Sequence, residues 1–200
     1  MTIGLTQALA EFVAKPTFGG QEQAAYAVAK TGFIDTIATM MAGHREPVVD
    51  VVRQFFAQTT TPAESPVPFL GTLHPAAQAA FINAVAGHAL DYDDVAISGH
   101  PSTVLVPAIL AEGHKLNRSG LDAVRAYIVG YEVWAELVSR EPEQYHLKGW
   151  HPTGVFGAVG AAAAVAYLNK LSVDEARQAL AISASLASGL VANFGTMTKP

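Results

Sequence analysis

"SGLDAVRAYIVGYEVWAELVSR", residues 119–140, sets the fold class. Ser119 stands where a helix N-cap belongs, Asp122 falls in the first turn, and the apolar residues beyond them recur at helical rather than strand spacing as far as Arg140. The same signature extends outward in both directions. Toward the C-terminus, the polar loop "REPEQYHLKGW" leads to a helix from Pro152, and Ser172 and Glu175 sit at capping-box spacing at the head of a helix ending near Val191. Toward the N-terminus, one helix follows Pro101 and another runs from Pro75 to about Asp91. Earlier helices are predicted over residues 5–14, from Gln21 to about Met41 with Gly43 as the C-terminal glycine, and from Pro47 to about Gln58. Residues 59–75, "TTTPAESPVPFLGTLHP", hold four prolines and read as a connector. The expectation is an all-α chain: one multi-helix domain over residues 1–200. The end at Lys199-Pro200, with no final element or polar tail, suggests the N-terminal portion of a longer protein.

Composition narrows the function classes. Half of the 200 residues are apolar, enough for a substantial core. A formal charge of −5 with no run of Lys and Arg argues against nucleic-acid binding. The absence of cysteine removes disulfides, thiolate catalysis, Cys-based zinc sites and Cys-ligated iron–sulfur clusters. The N-terminus lacks a basic region and carries Glu11, so it reads as an amphipathic helix rather than a signal peptide. The longest charge-free apolar stretch, from Val155 to Leu168, is short for a membrane span and fits a buried helix. A soluble, cytoplasmic protein is expected.

Candidate chemistry concentrates in "HALDYDDVAISGHPS", residues 88–102. Asp91, Asp93 and Asp94 lie within four positions of a chain only 14% charged, and they repel one another unless something compensates. If the helix continued through them, His88 and Asp91 would share a face that Asp94 extends, a set able to hold a divalent metal. They also fit solvent-facing caps, or a general base tuned by its neighbours. Three His-Pro pairs, at His74, His100 and His151, each open a predicted helix, and Pro is favoured at that first position. His74 is followed by "AAQAAF", with no cluster of polar groups nearby, and reads as structural. His100 follows the acids and precedes Ser102. His151 precedes Thr153 and a helix carrying Gly154, Gly157 and Gly160, where a backbone or ligand can approach closely. Two helix N-termini bearing imidazoles would suit a carboxylate, whereas a glycine-rich helix pair needs no ligand. Lys199, beside Thr196 and Thr198, is a further anion-binding candidate.

"HALDYDD", "GHPSTVLVPAILAEG", "GWHPTGVFGAVGAAAAVAYL" and "ASLASGLVANFGTMTKP", in that order, resemble the MmgE/PrpD family of 2-methylcitrate dehydratases and cis-aconitate decarboxylases. The resemblance extends from about Gly19 onward and is densest over residues 80–200. It implies an all-helical domain that holds most of an active site, followed in full-length members by a smaller α/β lid absent here. It implies a lyase, a dehydratase or decarboxylase, working on a small di- or tricarboxylate by acid–base chemistry without metal or other cofactor, commonly as a homodimer. No nucleic-acid or membrane partner is implied. By motif, the catalytic residues implied are Asp91, His100, His151 and Lys199. Asp93, on another helical face, would be structural or capping, and Asp94 is unassigned. Val95 stands where the decarboxylase branch has Thr, and the loop before His-Pro-Ser is shorter, which counts against that branch in particular. Alternatives are an isomerase or epimerase of an imino- or amino-dicarboxylate, and a non-catalytic helical fragment.

Overall fold

A computed structural model describes residues 3–57, 62–141 and 143–200. Gln58, the start of the Pro-rich connector (residues 59–61), Pro142 of the polar loop and the first two residues lie outside the described residues. The helices are α1 (Leu5–Ala14), α2 (Glu22–Gly43), α3 (Pro47–Phe56), α4 (Ala76–His88), α5 (Pro101–Lys115), α6 (Gly120–Ser139), α7 (Pro152–Leu168) and α8 (Val173–Leu186). The two anticipated N-caps form complete capping boxes: Ser119 with Asp122 opens α6, and Ser172 with Glu175 opens α8. Each satisfies backbone N–H groups that a helix start otherwise leaves unpaired. The all-α class holds, with one small departure inside the Pro-rich connector. There β1 (Ser65–Val67) pairs antiparallel with β2 (Thr72–His74) through a turn closed by Gly71 at φ +64°. Three-residue strands carrying Pro66 leave too little alternation to be read from sequence.

α7 is the axis of the molecule. Its apolar residues face inward on several sides, so Phe156, Val159, Ala163, Ala164 and Leu168 are all buried. One side packs on α1, α6 and α8, another on α2, α5 and α6, while α3, α4 and β1 build a third cluster around Val49, Val67 and Ile82. Burying each such Val, Leu or Ile contributes roughly 1.5–3 kcal/mol. α6 and α7 touch backbone to backbone, since a Cβ on Gly130 would lie 2.8 Å from the Gly160 carbonyl oxygen. That approach seats Trp134 fully inside the core, where its indole N–H donates to the Ile97 carbonyl at 3.0 Å. A core helix thereby holds the loop that carries the acidic cluster.

Two predicted helix ends move, and each movement matters for the site. α4 stops at His88, three residues short of Asp91, and Asp91 takes a left-handed conformation at φ +52°. α8 stops at Leu186, because Gly189, at φ +116°, turns the chain so that Trp150 and Leu190 pair across an antiparallel bridge. Gly43 also differs from its predicted role: it is the last residue of α2, inside the helix. A Cβ there would lie 2.2 Å from the Ala86 carbonyl oxygen of α4.

Candidate active site

The end of α4 breaks the helical face assumed for the acids, and His88, Asp91 and Asp94 do not form one stripe. The loop between α4 and α5 holds Asp91, Ile97 and Ser98 at positive φ, and Ala96 and Gly99 exchange backbone hydrogen bonds across it. Non-glycine residues held this way cost about 1–3 kcal/mol each and persist only when their surroundings impose them. Trp134 supplies one such constraint at Ile97. Thr153 supplies another, for its hydroxyl accepts from the His100 N–H at 3.1 Å and would lie 2.9 Å from a Cβ on Gly99. The start of α7 is thus keyed into the start of α5, which brings the second and third His-Pro pairs together.

Each of the three carboxylates has its own partner. Asp91, half exposed, is bound by the Lys199 ammonium and lies 3.7 Å from His100 Nε2. Asp94 caps α5, accepting from the Ser102 N–H at 3.2 Å and the Ser102 hydroxyl at 2.7 Å. Burial raises the Asp94 pKa, the Ser102 bonds oppose this, and the charges of Asp93 and Asp35 add to the rise. The Ser102 hydroxyl also lies 2.7 Å from the phenol of Tyr127, whose pKa burial pushes up to about 12. Asp93, assigned above to a capping or structural place on another helical face, is instead the buried centre. Its Oδ1 accepts from His88 Nδ1 at 2.8 Å, and its Oδ2 faces His100 Nδ1 at 3.2 Å. The second approach is not in line, so Asp93 Oδ2 and His100 Nδ1 each still lack a well-directed partner. Burial alone would raise the Asp93 pKa. The hydrogen bonds and charges of His100 and His88 outweigh it and hold the acid at about 2.

Three imidazoles gather around this carboxylate. The His88 ring is 4.5 Å from that of His100, edge on, and 6.5 Å from that of His151, stacked. His151 is buried, N-caps α7, and meets the edge of Phe194 at 4.8 Å. Burial first, then the charge of Lys199, lowers its pKa to about 4, so it is neutral near pH 7. Phe194 also lies under the Lys199 ammonium, 5.1 Å from its ring centre. An open cavity of about 380 Å³ adjoins the group, lined among others by His88, Asp91, Thr196, Met197 and Lys199. A smaller cavity of about 150 Å³, lined by residues such as Arg118, Asp122 and Lys170, lies elsewhere and contains none of these groups.

The structure thus brings Asp91, His100, His151 and Lys199 to one place. His74 is apart, in β2, bonded to Thr72 at 3.1 Å. His88, Asp93 and Phe194 stand beside them without having been assigned there by motif; His88 carried a signal in the metal reading and Asp93 in the acidic run, while Phe194 carried none. His88, Asp91, Asp93 and His100 do offer ligand atoms within 4.8 Å of one another. Two of those ligands are already engaged: the carboxylate of Asp91 holds Lys199, and His88 Nδ1 holds Asp93. His88 Nε2, Asp93 Oδ2 and His100 Nδ1, by contrast, have no hydrogen-bond partner, and a cation at Asp91 would compete with the Lys199 ammonium.

An all-helical domain with two His-Pro helix starts converging on a lysine-bound carboxylate defines the class. The MmgE/PrpD N-terminal domain matches residues 7–200, and the chain belongs to that family. It is 39% identical over 132 residues to the cis-aconitate decarboxylase of Mus musculus, covering 63% of this chain and 27% of that protein. For the Homo sapiens cis-aconitate decarboxylase the identity is 40% over the same length and coverage. The Aspergillus terreus cis-aconitate decarboxylase is 29% identical over 180 residues, 86% of this chain and 37% of that protein. The chain spans about a quarter to two fifths of the length of these relatives. Among the described residues, no helix is long and apolar enough to cross a membrane.

Proposed function

We propose that this chain carries the acid–base groups of a lyase that removes CO₂ or water beside a carboxylate of a small di- or tricarboxylate. The observation that carries the reading is the cluster that joins Lys199 and Asp91, on the wall of an open cavity, to His100 and His151 just behind them. Loss of CO₂ from such an acid leaves an electron pair on carbon, spread toward the adjoining carboxylate, which then takes a proton. Loss of water needs a proton removed at carbon and one delivered to the departing hydroxyl. Both routes build negative charge that fixed cations and N–H donors stabilise. Lys199 is the fixed cation, and a substrate carboxylate competes with Asp91 for it. A neutral His151 donates a hydrogen bond to developing charge, and an imidazole exchanges protons near neutral pH. The cis-aconitate decarboxylase relatives support decarboxylation of an unsaturated tricarboxylate as the first substrate to test.

The test is proton NMR in D₂O on the longest reading frame containing this chain, offered cis-aconitate, 2-methylcitrate, citrate and an iminodicarboxylate. Release of CO₂ or a new alkene supports the lyase. Deuterium uptake with inversion and no bond loss would replace it with an epimerase. His100→Ala and His151→Ala are expected to lower turnover on the order of 10²-fold or more, with His74→Ala near wild type. Equal rates in all three variants would remove both histidines from the mechanism.

A further inference from the structure

We infer that Asp93 is the positioning residue of this site: it accepts the Nδ1–H of His88 and faces Nδ1 of His100 with its other oxygen, and so holds His100 in the tautomer that leaves the Nε2 lone pair toward Asp91. The inference deepens the acid–base reading above and rests on it for its catalytic meaning. Its structural part stands alone.

An ionised carboxylate only accepts hydrogen bonds, and a neutral imidazole has one donor and one acceptor nitrogen. Asp93 is fully buried in its side chain and faces Nδ1 of His88 at 2.8 Å and Nδ1 of His100 at 3.2 Å, one per oxygen. Each Nδ1 must therefore carry the proton, because a bare nitrogen there would set two lone pairs against each other in a buried space. The strongly acidic character of Asp93 agrees with that arrangement. Nε2 of His100 is left as the acceptor, 3.7 Å from the Asp91 oxygen that holds Lys199. When Nε2 takes a proton, the resulting imidazolium lies between Asp93 and Asp91. On His151 burial, Lys199 and the other two histidines oppose a positive charge, and Asp91 offsets them only in part. The moving proton is thus assigned to His100, and His151 remains a neutral donor. His88 braces the far oxygen of Asp93, and its edge-on contact with His100 limits rotation of that ring. The loose alignment between Asp93 and His100 is expected to tighten when substrate displaces Lys199 from Asp91.

The experiment is histidine-selective ¹⁵N labelling of the full-length protein, with long-range ¹H–¹⁵N correlation above the imidazole titration range and His100 assigned by its loss in His100→Gln. The wild type should show His100 with a protonated Nδ1 and a bare Nε2, opposite to the preference of free histidine. In Asp93→Asn that preference should return, and kcat should fall about 10²–10⁴-fold with KM changed less. Asp93→Glu, which keeps a carboxylate, should retain part of both. A proton on His100 Nε2 in the wild type would overturn the inference without any variant needing to fold, as would an unchanged tautomer in a folded Asp93→Asn. If the tautomers behave as stated while turnover is unaffected by Asp93→Asn, positioning for catalysis is refuted and the acid–base reading of His100 falls with it.

Discussion

Replacing Gly43 by Ala tests the packing that positions the end of α4. Gly43 closes α2, and a Cβ built on it would lie 2.2 Å from the Ala86 carbonyl oxygen and 3.3 Å from the Ala89 Cβ. Ordinary contact begins at 3.4 Å, so α2 and α4 must separate by about 1 Å. The opposing atom is helix backbone, which cannot swing aside as a side chain would. Overpacking of this kind costs about 1–3 kcal/mol, while the better helix propensity of Ala returns less than about 1 kcal/mol at a helix end. A net loss of about 2 kcal/mol corresponds to a fall in Tm of about 4–8 °C for a chain of this size. The assay is urea unfolding followed by circular dichroism, with the slope unchanged and the midpoint lowered. Gly120→Ala is the control: it stands in the first turn of α6 with nothing within 4 Å of a new Cβ, and should be neutral or slightly stabilising. Ala86 is two residues from His88, so Gly43→Ala should also depress turnover. A Gly43→Ala protein as stable as wild type, or more stable, would show that the two helices do not meet as described and would refute the reasoning.

Two further outcomes are expected. His151, ordinarily near 6.5 and held at about 4 in the fold, is protonated more readily in the unfolded chain, so its contribution is complete above pH 6.5 and is lost as pH falls toward 4. That loss amounts to about 1–3 kcal/mol. Denaturation midpoints measured from pH 7 to 4 should show this slope in wild type and not in His151→Gln, and identical slopes would contradict it. The Asp93 contribution is lost at lower pH, between 3.8 and about 2, so the two windows are separable. Finally, excess chelator should leave turnover within about twofold of its untreated value, since Lys199 already supplies the cation at Asp91; loss of activity restored by a divalent ion would make the His88–Asp91–Asp93–His100 group a metal centre.

The chain by itself determined the helices and where most of them begin. Ser119 with Asp122, Ser172 with Glu175, and Pro at the heads of α5 and α7 act within one turn, and such local chemistry reads the same in any context. The motif order also carried the family, and with it Asp91, His100, His151 and Lys199. Only the tertiary structure decided what the acids do. No glycine or proline marks the end of α4, so the run from His88 to Asp94 has the pattern of a continuing helix until Trp134 and Thr153 impose a left-handed loop on it. That loop gives each acid its own surroundings: it buries Asp93 between two imidazoles and leaves Asp91 half exposed for a lysine 108 residues away. Periodicity and capping are short-range properties, whereas burial of a charge and pairing across such a distance depend on which helices pack together.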